Sequence, residues 1–333
     1  MRILAVTNMY PTPQHPTLGV FVEQQVKGLK RIGLDIDVLL VDRASRGVGA
    51  YCSLSRRIRA SVADVQPDIV HVMYGGVTAD ITTHAACRRP VVISFCGSDL
   101  LGASLSGTVR TLITGCGVLA SHRAARKASG IVVKSQNLRD ALPADIDASR
   151  IRLIPNGIDL DRFRPLDRHT CRHQLGWRAD RFHILFSSNA GDPCKRPALA
   201  QDAVRALNDL GVPGELHQLS GVRHDEVAIW LNASNVLLLT SVTEGSPNIV
   251  KEALACDVPV VSLDVGDVAK HIRGIPGCYL AVPEPTDLAA KLRRVHSGVS
   301  RIAGRDKMQE LSLERVARRV ADFYHDLLEA PGM

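Results

Sequence analysis

The residues best suited to chemistry lie in Ser241–Cys256, which reads SVTEGSPNIVKEALAC. Glu244 and Glu252 stand on either side of a Ser246-Pro247 step. Carboxylates accept hydrogen bonds, and the hydroxyls of sugars and riboses donate them. Between the two acids, Ser246 is a suitable helix N-cap. Pro247 is a suitable first helical residue, because a helix leaves that N–H unpaired in any case. Ile249/Ala253 and Val250/Leu254 then recur at i, i+4, the spacing of an amphipathic helix. A helix start offers free backbone N–H groups and a positive dipole end, both suited to phosphate. Glu252 would lie about 8 Å along the axis from Pro247, at ~1.5 Å per residue. An anion site with a hydroxyl-binding acid at each end suits a sugar nucleotide. A loop acid and a solvated helix acid would show the same spacing, so the argument rests on the setting of these residues.

That setting is a strand–loop–helix–strand unit. Val236–Leu239 before the motif and Pro259–Leu263 after it are short apolar runs of the kind that form buried strands. Glu244 and Gly245 therefore fall at the carboxyl end of a strand, the edge at which open α/β sheets bind ligands. Neither acid reads as part of a core. The remaining elements have the same alternation. Strands are expected at Ile3–Val6, Ile36–Val41, Ile69–Val72, Pro90–Phe95, Ile131–Ser135, Phe182–Ser188 and Glu215–Ser220. Helices are expected at Val22–Ile32, Arg56–Val65, Ala198–Leu210, Leu288–Val295 and Leu313–Leu328. Strands alternating with helices imply doubly wound parallel sheets. No G-x-G-x-x-G follows the first strand, so a standard dinucleotide fold is not supported.

Glu244-Gly-Ser-Pro-Asn-Ile-Val-Lys-Glu252 resembles the donor-site signature of the retaining glycosyltransferases of family 4. Other segments match in the right order: Pro67–Gly76, Cys96–Gly102, Pro155–Asp159 and the loop holding Lys195. The resemblance covers nearly the whole chain. It implies the GT-B fold, an α/β architecture of two Rossmann-like doubly wound domains facing a cleft, with a C-terminal helix returning to the first. The domains would be residues 1–167 on the acceptor side, residues 168–312 for the nucleotide sugar, and residues 313–333 as the returning helix.

The resemblance also implies site residues. Glu244 and His71 would be catalytic. Gly19, Lys195, Glu244, Gly245, Ser246, Pro247, Asn248, Ile249 and Glu252 would bind the donor. Asp99 and Asn137 would lie on the acceptor side. Gly19 matches a glycine in the loop after the first strand. His71 matches the first His of D-x-V-H-x-H, where Met73 replaces the second; a lone strand His is more often structural. Asp99 ends a segment like H-G-S-D with Cys96 in place of the His, and it could equally cap a turn. Lys195 fits a Lys that meets the donor diphosphate. The Arg that accompanies it falls on Asn189 or Ala190, so that Arg is missing, with Arg196 as its only nearby substitute.

Composition sets outer bounds. The 333 residues allow two domains, with 45% hydrophobic and 23% charged residues as in an ordinary globular chain. No apolar run approaches the ~18 residues of a membrane span. MRILAVTNMY reads as a first strand and not as a signal peptide. Eight scattered cysteines without a C-x-x-C suggest reduced thiols, a cytoplasmic location and no zinc site. Residues 1–167 hold 21 Lys and Arg against 14 Asp and Glu, whereas residues 168–333 balance at 20 and 20. Such a basic first half could face an anionic membrane or acceptor, peripherally at the inner face of a membrane, or it could be ordinary surface charge. Nothing matches a nucleic-acid motif.

Metal-dependent glycosyl transfer uses D-x-D. The triplets at Asp35/Asp37, Asp145/Asp147 and Asp159/Asp161 are no more than chance gives for 25 Asp. No metal and no cofactor is therefore expected at the site. The phosphate charge would be met by Lys195 and a helix start. The resulting expectation is a metal-independent, hexosyltransferase-like retaining enzyme. It would move a sugar from a nucleotide donor, with UDP the expected nucleotide, to a glycan or lipid-linked acceptor in cell-surface polysaccharide or glycolipid synthesis. The alternative is a catalytically inactive nucleotide-sugar-binding or regulatory protein on the same frame.

Overall fold

The computed structural model describes residues 1–102, 108–188, 192–298 and 300–330. The chain forms two compact units, Met1–Gly157 together with Leu313–Met333, and Ile158–Ser312. The boundary falls earlier than residue 167, and the reason is local. Ile158 N donates to Leu311 O at 2.7 Å. Phe163 is fully buried, its carbonyl accepts from Arg305 at 2.6 Å, and Leu166 N donates to Asn232 Oδ1 at 2.8 Å. Residues 158–167 thus belong with the second unit.

Among the described residues, the first unit holds six parallel strands in the order β2-β1-β3-β4-β5-β6. These are β1 (Arg2–Thr7), β2 (Asp35–Leu40), β3 (Ile69–Met73), β4 (Val91–Phe95), β5 (Gly130–Val133) and β6 (Ile151–Leu153). Strands β3, β4 and β5 are buried at every position, as expected of parallel strands covered on both faces. Helices α1 (Val20–Arg31), α2 (Leu54–Val65), α3 (Val77–Ala85), α4 (Thr108–Lys127) and α5 (Gln136–Asp140) connect them. β6, α3 and the short 3-10 turn at Gly47–Tyr51 were not legible as elements in the sequence.

The second unit has five parallel strands in the order β11-β10-β9-β7-β8. They are β7 (Phe182–Ser187), β8 (Gly214–Leu219), β9 (Val236–Leu239), β10 (Val260–Leu263) and β11 (Tyr279–Ala281). Its helices include α6 (Arg168–Leu175), α7 (Pro197–Asp209), α8 (Val227–Ala233), α9 (Asn248–Ala255), α10 (Val268–Ile272) and α11 (Pro285–His296). Each sheet reverses its winding once, between β1 and β3 in the first unit and between β7 and β9 in the second. Those are the points at which doubly wound sheets open a crevice for ligands.

The last helix, α12 (Leu313–Glu329), completes the first unit. Its buried face is Val316, Ala317, Val320, Ala321, Phe323, Tyr324 and Leu327. Glycines admit it: a Cβ on Gly130 would stand 2.6 Å from Leu327 Cδ1 and 2.7 Å from Phe323 Cζ. At the centre of this packing, the Tyr324 hydroxyl lies 2.5 Å from His71 Nδ1, and His71 Nε2 lies 2.8 Å from Ser94 Oγ.

Burial, with a smaller contribution from nearby Lys134, pushes the His71 pKa down from 6.5 to about 3. The sign follows from linkage. The unfolded chain takes up a proton near pH 6.5 and the folded chain only near 3, so stability declines as pH falls through that window. The unfolding midpoint of the wild type should fall more steeply with acid between pH 6.5 and 3 than that of a His71→Asn variant. Parallel curves would remove His71 as the acid-sensitive group.

Candidate active site

The loops after β7 and β9 meet at the winding reversal of the second unit. Their backbones are latched together. Val242 N donates to Cys194 O at 2.8 Å, and Thr240 Oγ1 donates to Lys195 O at 2.7 Å. Arg196 donates to Thr240 O at 2.9 Å and to Ser241 O at 3.1 Å. Arg196 is therefore committed to backbone carbonyls and does not stand in for the Arg missing from the resemblance. Its φ of 50° is strained for a side chain other than Gly, and those bonds hold it there. Asn189 and Ala190, where that Arg was sought, lie outside the described residues.

The latch brings Lys195 and Glu244 together. Lys195 Nζ donates to Glu244 Oε1 at 2.5 Å, and Ser241 Oγ donates to the same oxygen at 2.7 Å. Both side chains keep partial access to solvent, 19% for Lys195 and 16% for Glu244. The loop after β10 closes in from the other side. A Cβ on Gly266, whose φ is +60°, would stand 2.6 Å from Gly245 O, so only glycine allows this approach. Three loops at strand carboxyl ends thus converge on Glu244–Asn248.

The helix differs from expectation in two ways. It begins at Asn248, with Pro247 as N-cap. Ser246 does not cap it: its hydroxyl donates to Asp267 Oδ2 at 2.8 Å and accepts from Lys251 Nζ at 3.0 Å. As a cap, the Ser246 oxygen would accept from a backbone N–H; here it accepts from the Lys251 ammonium instead, while its own proton goes to the carboxylate of Asp267, far along the sequence. Nor is Glu252 solvated. It is 6% exposed, on a helix buried from Val250 to Ala255, and its Oε1 lies 3.3 Å from His224 Nε2. A partner for His224 is Arg162, 2.6 Å from Nδ1. Ile249 and Asn248 are half-buried, while Gly245, Ser246 and Pro247 are buried.

Lys251 is fully buried, and the sequence reading passed over it. Burial alone would raise the Asp267 carboxyl. The hydrogen bond and charge of His271, with the charge of Lys251, outweigh this and hold it below its usual range. Asp267 and His271 lie 2.9 Å apart. The available signal was an Asp and a His four residues apart, at the N-cap of α10 and within that helix. Together these groups fix Ser246 and hence the start of α9.

The first-unit candidates fare differently. His71 is fully buried with both ring nitrogens engaged, so it anchors α12 and does not face a substrate. The reason is register: His71 sits mid-strand, paired beside Ala5 and Val92 in the sheet. Asp99 is 5% exposed, and its carboxylate accepts from the backbone N–H of Gly75 at 2.9 Å, Gly97 at 2.7 Å and Cys96 at 3.0 Å. Burial pushes its pKa up, and those three bonds pull it back. It ties two loops together. Gly19 has φ +66° at the start of α1, where a Cβ would meet Met9 and lie 2.7 Å from Tyr10 N. Asn137 lies in α5, half-buried, and its Oδ1 accepts from Ser135 Oγ at 2.5 Å. Lys134, in an otherwise apolar strand end, is 1% exposed, and its Nζ donates to Gln25 Oε1 at 3.4 Å.

Comparison with known proteins decides what this arrangement belongs to. A family described as Glycosyltransferase Family 4 matches residues 19–162, and one described as Glycosyl transferases group 1 matches residues 188–297. The chain belongs to the family 4 glycosyltransferases. Among relatives of this family, TuaC of Bacillus subtilis (strain 168), named as a teichuronic acid biosynthesis glycosyltransferase, is 26% identical over 81% of this chain and 82% of its own. Sucrose-phosphate synthase from Thermosynechococcus elongatus shares the fold at a TM-score of 0.77 and 15% identity, over 98% of this chain and 99% of its own. Anabaena HepE, solved in complex with UDP and glucose, gives a TM-score of 0.73 at 17% identity, over 98% and 100%. The family 4 chain described here therefore has the GT-B fold, with one Rossmann-like sheet in each unit. No helix among the described residues is long and apolar enough to cross a membrane.

Proposed function

We propose that this glycosyltransferase moves a sugar from a nucleotide-sugar donor to an acceptor hydroxyl with retention of configuration. Donor UDP-sugar and a glycan or lipid-linked acceptor of the cell surface are the substrates inferred. The observation that carries the reading is the Lys195–Glu244 pair at the winding reversal between β7 and β9. The UDP seen with HepE and the teichuronic acid in the name of TuaC support the substrate classes.

In this reading the donor diphosphate draws Lys195 away from Glu244, and the ammonium neutralises charge that gathers on the leaving phosphate. Glu244, freed from Lys195 and still held by Ser241, orients the sugar and meets the positive charge that develops at its ring. Glu252 takes ribose hydroxyls. Gly245, Ser246, Pro247, Asn248 and Ile249 present the backbone at the start of α9 to the donor. Gly19, Asp99 and Asn137 frame the acceptor side. Asp99 does so through the backbone it braces. The diphosphate needs no metal in this scheme. Turnover of a panel of UDP-, GDP- and ADP-sugars, with the anomeric configuration of the product read by NMR, tests the proposal. No turnover with any donor, despite nucleotide binding, would favour an inactive binding protein. The burial of His71 and the backbone bonds of Asp99 lend that second reading its support.

Lys195→Ala should raise the donor KM about tenfold or more with only a small fall in the unfolding midpoint, because Glu244 keeps its bond from Ser241 Oγ and partial access to water. Normal donor binding by this variant would remove Lys195 from the site.

We also infer peripheral contact of the first unit with anionic membrane at the cytoplasmic face. Counted on the observed units, the charge excess stays with the first, at 22 basic against 15 acidic residues. The full chain should sediment with vesicles containing anionic lipid, less so with neutral ones, and salt should release it. Equal retention on neutral vesicles would overturn this inference.

A further inference from the structure

The edge strand of the second unit carries a group of side chains that the donor site does not use. β7 reads FHILFS and β8 reads GELHQL, and the two lie parallel with His183 opposite Glu215 and Leu185 opposite His217. His183, Glu215 and His217 therefore share one face, since side chains two apart point the same way. His183 is fully buried. Its Nε2 lies 2.6 Å from Arg178 O. A carbonyl can only accept, so that nitrogen carries the proton and Nδ1 holds a lone pair. Nδ1 is turned towards His217 Nε2 at 2.8 Å and Glu215 Oε2 at 3.9 Å. His217 Nε2 in turn lies 3.7 Å from Glu215 Oε1. Trp177 covers the group, stacked on the His217 ring at 3.5 Å and 12°, and Trp230 meets Trp177 edge-on.

We propose that His183 Nδ1, His217 Nε2 and the Glu215 carboxylate bind one divalent transition-metal ion of the zinc class, with water completing its shell. The three donors lie within 4.8 Å of one another. Separations of 2.8–3.9 Å are what ligands at about 2.0–2.2 Å from a common centre span. Two imidazoles and a carboxylate select zinc, nickel, cobalt or copper, and not the oxygen-seeking magnesium or calcium. The bond from His183 to the Arg178 carbonyl is the outer contact that fixes a ligating histidine in the right tautomer and orientation. A hydrogen bond between the two histidines explains their 2.8 Å approach, but it leaves the carboxylate beside both nitrogens without a role.

The site is separate from the donor chemistry. His183 and Glu215 lie one residue inside the amino ends of β7 and β8, whereas Lys195 and Glu244 follow strand carboxyl ends. The ion would bridge β8, which has a strand neighbour on one side only, to its neighbour β7. Its role is to pin a sheet edge, where strands are otherwise least secure.

The test uses the full chain without a polyhistidine tag, dialysed against Co²⁺ and, separately, Zn²⁺. The expected result is one ion per chain, a visible Co²⁺ absorption band, and an unfolding midpoint raised by Zn²⁺. His217→Ala and Glu215→Gln should each weaken Co²⁺ binding about tenfold or more and abolish the Zn²⁺ shift. Glu215→Gln preserves shape at a half-exposed position, so it remains informative if His217→Ala fails to fold. The donor KM of Glu215→Gln should equal that of the wild type. Absence of Co²⁺ uptake by the wild type would overturn the proposal. So would uptake and a Zn²⁺ shift that Glu215→Gln leaves unchanged, which would place the ion elsewhere on the chain.

Discussion

Glu244→Gln should lower kcat by about 10²- to 10³-fold with a smaller change in donor KM, the size of effect seen when one preorganised group facing transition-state charge is removed. The exchange keeps the shape of the side chain and its acceptor for Ser241 Oγ, 2.7 Å away. It removes the charge that Lys195 Nζ meets at 2.5 Å and that the developing positive charge on the sugar would need. Only an interaction that strengthens on the way to the transition state appears in kcat. Glu252→Gln is the contrast. Ribose contacts are alike in ground and transition states, so the donor KM should rise with a lesser fall in kcat. Because Glu252 is 6% exposed and 3.3 Å from His224, this variant also needs its melting curve measured beside the kinetics. A reversed pattern would exchange the two roles. Wild-type kinetics in both folded variants would make Ser241–Cys256 a structural loop.

Removal of Leu313–Met333 should unfold the first unit while the second persists. Helix α12 buries Val316, Val320, Phe323, Tyr324 and Leu327 against the first unit. At about 1.5–3 kcal/mol per large apolar side chain, their loss approaches the ~5–15 kcal/mol that holds a typical domain folded. It would also expose the Gly130 surface and leave His71 without Tyr324. Hydrogen exchange resolves the outcome. Amides of β1, β3, β4 and β5 should lose protection, and those of β7, β9 and β10 should keep it. Phe323→Ala is the milder form, expected to cost about 3–5 kcal/mol in the first unit alone. Unchanged protection of the first sheet in the truncated chain would mean that α12 is an accessory.

Much of this architecture is legible in the residues, for a physical reason. Strands buried on both faces are largely apolar, so runs such as Val236–Leu239 and Val91–Phe95 stand out without any periodicity. The same property hides what matters at the sites. In a strand covered on both faces, the letters do not tell a His at the open end from one in the middle, and His71 is in the middle. Ser246 looked like a cap because capping is local, whereas its partner Asp267 arrives through a neighbouring strand. Glu252 looked solvated because helical periodicity weighs a helix alone, without the His224 side chain beside it. His183 and His217 are 34 residues apart, and only the β7–β8 register makes them neighbours. Glu244 was singled out by its place at a strand end and Lys195 by resemblance, but their direct contact depends on two loops latched by bonds to the backbone.

The division of the first unit into Met1–Gly157 and Leu313–Met333 sets an order of events on the ribosome. At about 5–20 residues per second, the stretch from Gly157 to Glu329 takes roughly 10–35 s to synthesise. Throughout that interval the nascent sheet around His71 lacks the helix that covers it, whereas Ile158–Ser312 has all of its own residues as soon as Ser312 is added. The half made first is thus finished last. Its uncovered apolar face is the place where a chaperone would be needed, and slowing synthesis between the two segments would lengthen that exposure and lower the yield of folded chain.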